Sequence, residues 1–143
     1  MTTKKRVLVL CTGNSCRSQM AEGWLRRDLG DVVEAHSAGT HPSFVHPLAI
    51  RVMAEAGVDL SAHRSKSVSR YWEEPFDVVV TVCDSAREAC PNFPGALKQL
   101  HESIPDPVLS VAEGEERALE RFREIRDLIR ERIVPRVRAE IEA

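Results

Sequence analysis

VLVLCTGNSCRSQMAEGW, residues 7–24, runs an apolar stretch straight into a cysteine and the cysteine into the start of an amphipathic segment. RVLVL (6–10) reads as a strand buried on both faces, and Ser18 to Leu29 reads as a helix with one apolar side. The same alternation continues outward. VVEAHS (32–37), FDVVVTV (76–82) and LKQLHE (97–102) are further candidate strands, and Pro47 to Ala56 is a second helix. From about Gly114 to the C-terminus, Leu119, Phe122, Ile125, Ile129, Ile133, Val137 and Ile141 recur at three- and four-residue intervals and so share a helical face. Pro135 is expected to kink or end that helix. Continuous apolar strands separated by helices imply an α/β fold, a parallel sheet covered by helices on both faces.

Composition narrows the rest. A chain of 143 residues with 43% hydrophobic content suits a single domain, residues 1–143, with a sizeable core. The formal net charge is −2, and Lys and Arg alternate with Glu instead of forming a basic stripe, which argues against nucleic acid. KKRVLVL is too short for a signal or a membrane span, so a cytoplasmic protein with no membrane partner is expected. Thiols stay reduced there, and the four cysteines therefore point to catalysis, metal or burial before structural disulfides.

The turn CTGNSCRS (11–18) joins the first strand to the first helix at the carboxyl edge of the sheet, where open α/β folds bind ligands. Gly13 is expected to let the backbone turn tightly toward a ligand. Amides of the loop and of the first helical turn have no internal partners and can converge on an anion. Arg17 adds a planar fork of donors suited to a tetrahedral oxyanion. The same groups favour the thiolate form of Cys11. Ser18 either supports that thiolate or caps the helix. Taken singly, Cys11 would be an ordinary buried residue. A cysteine, five residues and an arginine between strand and helix is far more restrictive.

CTGNSCRSQMAEG resembles the signature loop of the low-molecular-weight phosphotyrosine phosphatase superfamily, and in particular its thioredoxin-coupled arsenate reductases. SAGTHP, HPLAIRVMAEAG, FDVVVTVCDSAREACPNFPG and the PDP at 105–107 extend the similarity over nearly the whole chain. The resemblance implies a four-stranded parallel sheet flanked by helices. It also implies Cys11 as nucleophile, an oxyanion loop of Thr12, Gly13, Asn14, Ser15, Cys16, Arg17 and Ser18, and Asp106 as the acid that protonates the departing oxygen. Taken alone, an Asp between two prolines is a turn residue.

Phosphate and arsenate share shape and charge, so the remaining cysteines must separate phosphatase from reductase. Reduction needs two electrons, and without a cofactor those come from further thiols. Cys83 follows VVVTV and is expected at a strand end beside Cys11; Cys90 lies seven residues on in a polar stretch. They match the two further cysteines of the reductase relay, which implies arsenate as substrate, phosphate as a competing anion, thioredoxin as reductant and rearrangement of Asp84 to Pro94 during the relay. No metal is expected, because the cysteine spacings do not suit zinc. Some relatives bind potassium near the loop; here HRSKS (63–67) places Arg64 and Lys66 where the ligands would stand, and Lys66 can supply that charge itself. Cys16 either packs or pairs protectively with Cys11. The alternative activity is that of a low-molecular-weight protein tyrosine phosphatase, although Val108 stands where those enzymes usually carry tyrosine after the Asp-Pro.

Overall fold

The computed structural model describes residues 3–83 and 92–143. Its elements are β1 (Lys5–Cys11), α1 (Arg17–Leu29), β2 (Val33–Gly39), α2 (Pro47–Glu55), β3 (Phe76–Thr81), β4 (Ala96–His101) and α3 (Glu115–Glu142), with short 3-10 turns at Val68–Arg70 and Pro107–Glu113. The four strands form one parallel sheet in the order β2-β1-β3-β4. Each expected strand is present within two residues of its anticipated bounds.

Alternation along β1 explains the layering. Val7, Val9 and Cys11 face a large core shared with Met20, Trp24 and Leu25 of α1, Val52 and Met53 of α2, and Phe122, Ile125, Ile129 and Ile133 of α3. Leu8 and Leu10 point to the opposite face, against Val79, Phe76, Phe93 and Tyr71, with Val68 of the first 3-10 turn beside them. Both faces are thus apolar, as a parallel sheet requires. Register places Cys11 opposite Gly39 of β2 and Leu10 opposite Thr81 of β3, so the ends of three strands meet at one edge.

Of the two outcomes expected at Pro135, ending the helix does not occur: α3 runs through it to Glu142. A mid-helix proline frees the carbonyl four residues earlier. Here that residue is Glu131, exposed like Pro135 itself, so water can satisfy the carbonyl. Buried Ile129, Ile133, Val134 and Val137 hold the helix down on the opposite side. Among the described residues no helix is long and apolar enough to cross a membrane.

Candidate active site

Cys11 ends β1 and is buried. Its Sγ lies 2.8 Å from Ser18 Oγ and accepts the Asn14 backbone N–H at 3.2 Å. Ser18 is the second residue of α1 and makes no cap, so of its two anticipated roles the structure supports contact with the sulfur. Cys16 takes the N-cap position without a side-chain cap bond, and the amides of the first turn lie at the closing end of the loop.

The tight turn is at Asn14, not at Gly13. Asn14 has φ of 49°, whereas Gly13 has no left-handed φ and a Cβ there would meet Ser43 Oγ at an ordinary 3.5 Å. Asparagine tolerates this conformation because its short amide can bond locally. Here it does so in every direction. Nδ2 donates to Ser18 Oγ (2.8 Å) and Ser37 Oγ (2.9 Å), while Oδ1 accepts from Lys66 N (2.8 Å) and Gln19 Nε2 (3.0 Å). Its carbonyl accepts from Ser65 Oγ at 2.7 Å and from Gln19 Nε2 at 3.2 Å. The glycine that the site requires is Gly39 at the end of β2. A Cβ there would sit 2.5 Å from Thr12 O and 2.8 Å from Asn14 N, so any side chain would push the loop away.

Segments on both sides brace the loop. Thr12 O accepts His41 N at 2.8 Å, Gly13 O accepts Ser43 N at 3.1 Å, and Ser15 O accepts His46 N at 3.1 Å. Behind Asn14, Ser37 Oγ donates to Glu22 Oε1 at 2.7 Å. Glu22 is a buried carboxylate, and buried carboxylates need compensating cations. Arg26 at 3.1 Å and Lys66 at 3.4 Å supply them. His63 Nδ1 stands 3.4 Å from Glu22 and 2.9 Å from Gln19 Oε1. Burial lowers the His63 pKa against the opposing pull of Glu22. Lys66 therefore does bring positive charge to the site, as its place in HRSKS suggested. Reading the sequence missed Gln19, Glu22, His63, Ser65 and Gly39, because no local pattern marks them: Glu22 shares its face of α1 with Ser18, Gln19 and Arg26.

Arg17 is the first residue of α1 and is 4% exposed. Its Nη1 donates to the carbonyls of Ile104 (3.1 Å) and Val82 (3.3 Å), which fixes the guanidinium between β3 and the segment carrying Asp106. Nη2 lies 3.7 Å from Asp106 Oδ2. Asp106 is half-exposed and also caps the turn after it, Oδ1 accepting Val108 N–H at 3.0 Å. Its turn role and its proximity to Arg17 are both real. Burial pushes the Cys16 thiol up to about 12, which keeps it protonated in the loop.

Cys83 follows Val82, whose N–H donates to Leu10 O at 3.0 Å and whose carbonyl accepts from Arg17. The structure thereby brings Cys83 to the strand edge that carries Cys11. Cys83 is buried and disulfide-bonded, whereas Cys11 and Cys16 are free thiols. Cys90 and most of the 84–94 segment lie outside the described residues. Among the described residues no cluster of three or more His, Cys, Asp or Glu could hold a metal.

The family model for low molecular weight phosphotyrosine protein phosphatase matches residues 6–142. The chain belongs to that family. Within it, the chain is 41% identical over 130 residues to an arsenate reductase of Halalkalibacterium halodurans, covering 91% of this chain and 93% of the relative. A solved arsenate reductase in the phosphate binding state superposes with a TM-score of 0.76 at 32% identity, over 90% of this chain and 92% of that one. A thioredoxin-dependent arsenate reductase of Corynebacterium glutamicum gives a TM-score of 0.63 at 31% identity, over 91% of this chain and 60% of that longer chain.

Proposed function

We propose that this member of the family reduces arsenate to arsenite through a cysteine relay recharged by thioredoxin. The observation that carries the reading is Cys83: a disulfide-forming cysteine two residues beyond β3, the strand that hydrogen-bonds β1 beside Cys11. A phosphatase has no use for a second redox-active sulfur at that edge. The relatives named arsenate reductase support the same reading.

The chemistry starts with the Cys11 thiolate, supported by the Asn14 N–H and Ser18 Oγ, attacking arsenate held by the loop amides and Arg17. An As–S bond forms as one As–O bond breaks, and Asp106 gives its proton to the departing oxygen, which leaves as water. Cys83 thiolate then attacks Cys11 Sγ. The electron pair of the As–S bond passes to arsenic, which falls from the +5 to the +3 state and leaves as arsenite, while the two sulfurs are oxidised to a Cys11–Cys83 disulfide. Cys90 thiolate attacks Cys83 Sγ, returning Cys11 to its thiolate and leaving Cys83–Cys90. A thioredoxin dithiol reduces that disulfide by exchange and becomes oxidised itself. Each turnover consumes two electrons and needs no cofactor beyond thiols.

The test is arsenate-dependent oxidation of NADPH in the presence of thioredoxin and thioredoxin reductase, with Cys11→Ser as the blank. Turnover that vanishes in Cys11→Ser supports the reading; no arsenate-dependent oxidation by the intact chain overturns it. A second reading rests on Cys11, Arg17 and Asp106, which together suffice for hydrolysis of a phosphate monoester. Brisk Cys11-dependent release of p-nitrophenol from p-nitrophenyl phosphate without arsenate turnover would favour it.

A further inference from the structure

His46 sits where α2, α3 and the anion loop meet, and the chemistry above gives it no task. It immediately precedes Pro47, which has no N–H, so the first amide of α2 in need of an acceptor is that of Leu48. His46 Nδ1 accepts it at 3.1 Å. An imidazole accepting at Nδ1 is neutral and carries its proton on Nε2. The same residue donates its backbone N–H to Ser15 O at 3.1 Å and accepts the Ile50 N–H at 3.1 Å. Its ring packs on Phe122 of α3 at 5.0 Å and lies parallel to Phe44 at 6.5 Å.

We infer that His46 is a positioning residue through which pH gates the anion loop. A proton arriving at Nδ1 abolishes the acceptor for Leu48 and sets a cation against the positive end of the helix. The ring must leave the cap, and the tie to Ser15, made by the backbone of the same residue, loosens with it. The surroundings of the ring set the range. The loop presents the Ser15 carbonyl, α2 its terminal amides, α3 the Phe122 ring, and the β2–α2 connection the Phe44 ring. Among the described residues Asp106 is the charged group acting on it and favours the proton, but burial outweighs Asp106 and lowers the pKa. The gate therefore opens below the ordinary histidine value of about 6.5. Asparagine in this position would cap equally well through its Oδ1 without titrating.

The inference rests on the reading of residues 11–18 as an oxyanion site, and the experiment separates the two. The affinity of the intact chain for inorganic phosphate is measured by calorimetry at pH 7.5 and pH 5.5, beside His46→Asn and His46→Ala. Between the two pH values the intact chain is expected to lose about fivefold more affinity than His46→Asn, and His46→Ala to bind about fivefold more weakly than His46→Asn at pH 7.5. Imidazole nitrogen resonances should show Nδ1 unprotonated at pH 7.5. Equal pH dependence in the intact chain and His46→Asn, or a protonated Nδ1 at pH 7.5, overturns the gate alone. Absence of phosphate binding to the intact chain at both pH values overturns the oxyanion reading and the gate with it.

Discussion

Replacing Asn14 by alanine tests the wiring of the loop most severely. The substitution deletes four side-chain hydrogen bonds, to Ser18, Ser37, Lys66 and Gln19. Ser18 keeps Cys11, Ser37 keeps Glu22 and Gln19 keeps two carbonyls, so the loss is closer to the net worth of each bond than to full desolvation. At somewhat under 1 kcal/mol each, the bonds amount to about 3 kcal/mol. A Cβ-bearing residue without a locally bonding side chain at φ of 49° adds about 1 kcal/mol more. The expected destabilisation is about 4 kcal/mol, a large part of a domain's total, and a fall in Tm of about 10–15 °C. Asn14→Gly loses the same bonds but tolerates the dihedral, and should recover about 1 kcal/mol of the loss. Thermal and urea unfolding of the three proteins provides the assay. A Tm shift below about 3 °C for the alanine variant would refute the bonding argument, and an alanine variant as stable as the glycine one would refute the left-handed turn.

Asp106→Asn keeps the cap on Val108 but removes the proton, so turnover with phenyl phosphate should fall by about 10²-fold or more, and with p-nitrophenyl phosphate, whose leaving group needs less protonation, by distinctly less. Equal losses with both esters would mean that Asp106 acts only structurally. Glu55, held by a two-point contact with Arg123 at 2.9 and 2.8 Å, has its carboxyl drawn down to about 2, mainly by the hydrogen bonds from Arg123. Its stabilisation is present above the ordinary carboxylate range and lost as pH falls toward 2; because the pair is solvent-exposed, screening keeps the contribution small. Glu55→Gln should flatten the stability profile between pH 5 and pH 2, and an unchanged slope in urea titrations would contradict this. With Lys66 Nζ 3.4 Å from the buried Glu22, turnover should be the same in potassium and tetramethylammonium buffers, and Lys66→Ala should become dependent on potassium. A potassium requirement in the intact protein would show that Lys66 does not satisfy Glu22.

The fold was legible because its signals are local. Four apolar runs of strand length, three amphipathic stretches and the abrupt cysteine after VLVL specify a parallel sheet and its ligand edge with no tertiary information. Cys11 and Arg17 stood out for the same reason, since they share one loop, whereas the prolines flanking Asp106 mark it only as a turn residue and its role as the acid came from the family resemblance. What escaped the sequence depends on contacts across distance. Nothing local distinguishes Asn14 from Gly13 as the left-handed residue, since glycine is the usual occupant; the choice is made by Ser37, Lys66 and Gln19, which converge on the asparagine amide. Gly39 looks like any residue after a strand until the Thr12 carbonyl is seen against it. Pro135 does not end α3 because both it and Glu131 face water while the buried side of the helix holds it in place. The 63–67 segment was read for the charge of Lys66, yet its backbone and Ser65 hydroxyl are what grip the loop.

The central claim is that Cys83 and Cys90 carry electrons that hydrolysis does not need. It is tested most directly by measuring arsenate-dependent NADPH oxidation with thioredoxin and thioredoxin reductase in the intact protein, Cys83→Ser and Cys90→Ser, with p-nitrophenyl phosphate hydrolysis run on the same samples. The relay predicts that both variants lose sustained arsenate turnover while keeping most of whatever Cys11-dependent hydrolysis the intact protein shows. Arsenate turnover that survives in both variants would contradict it.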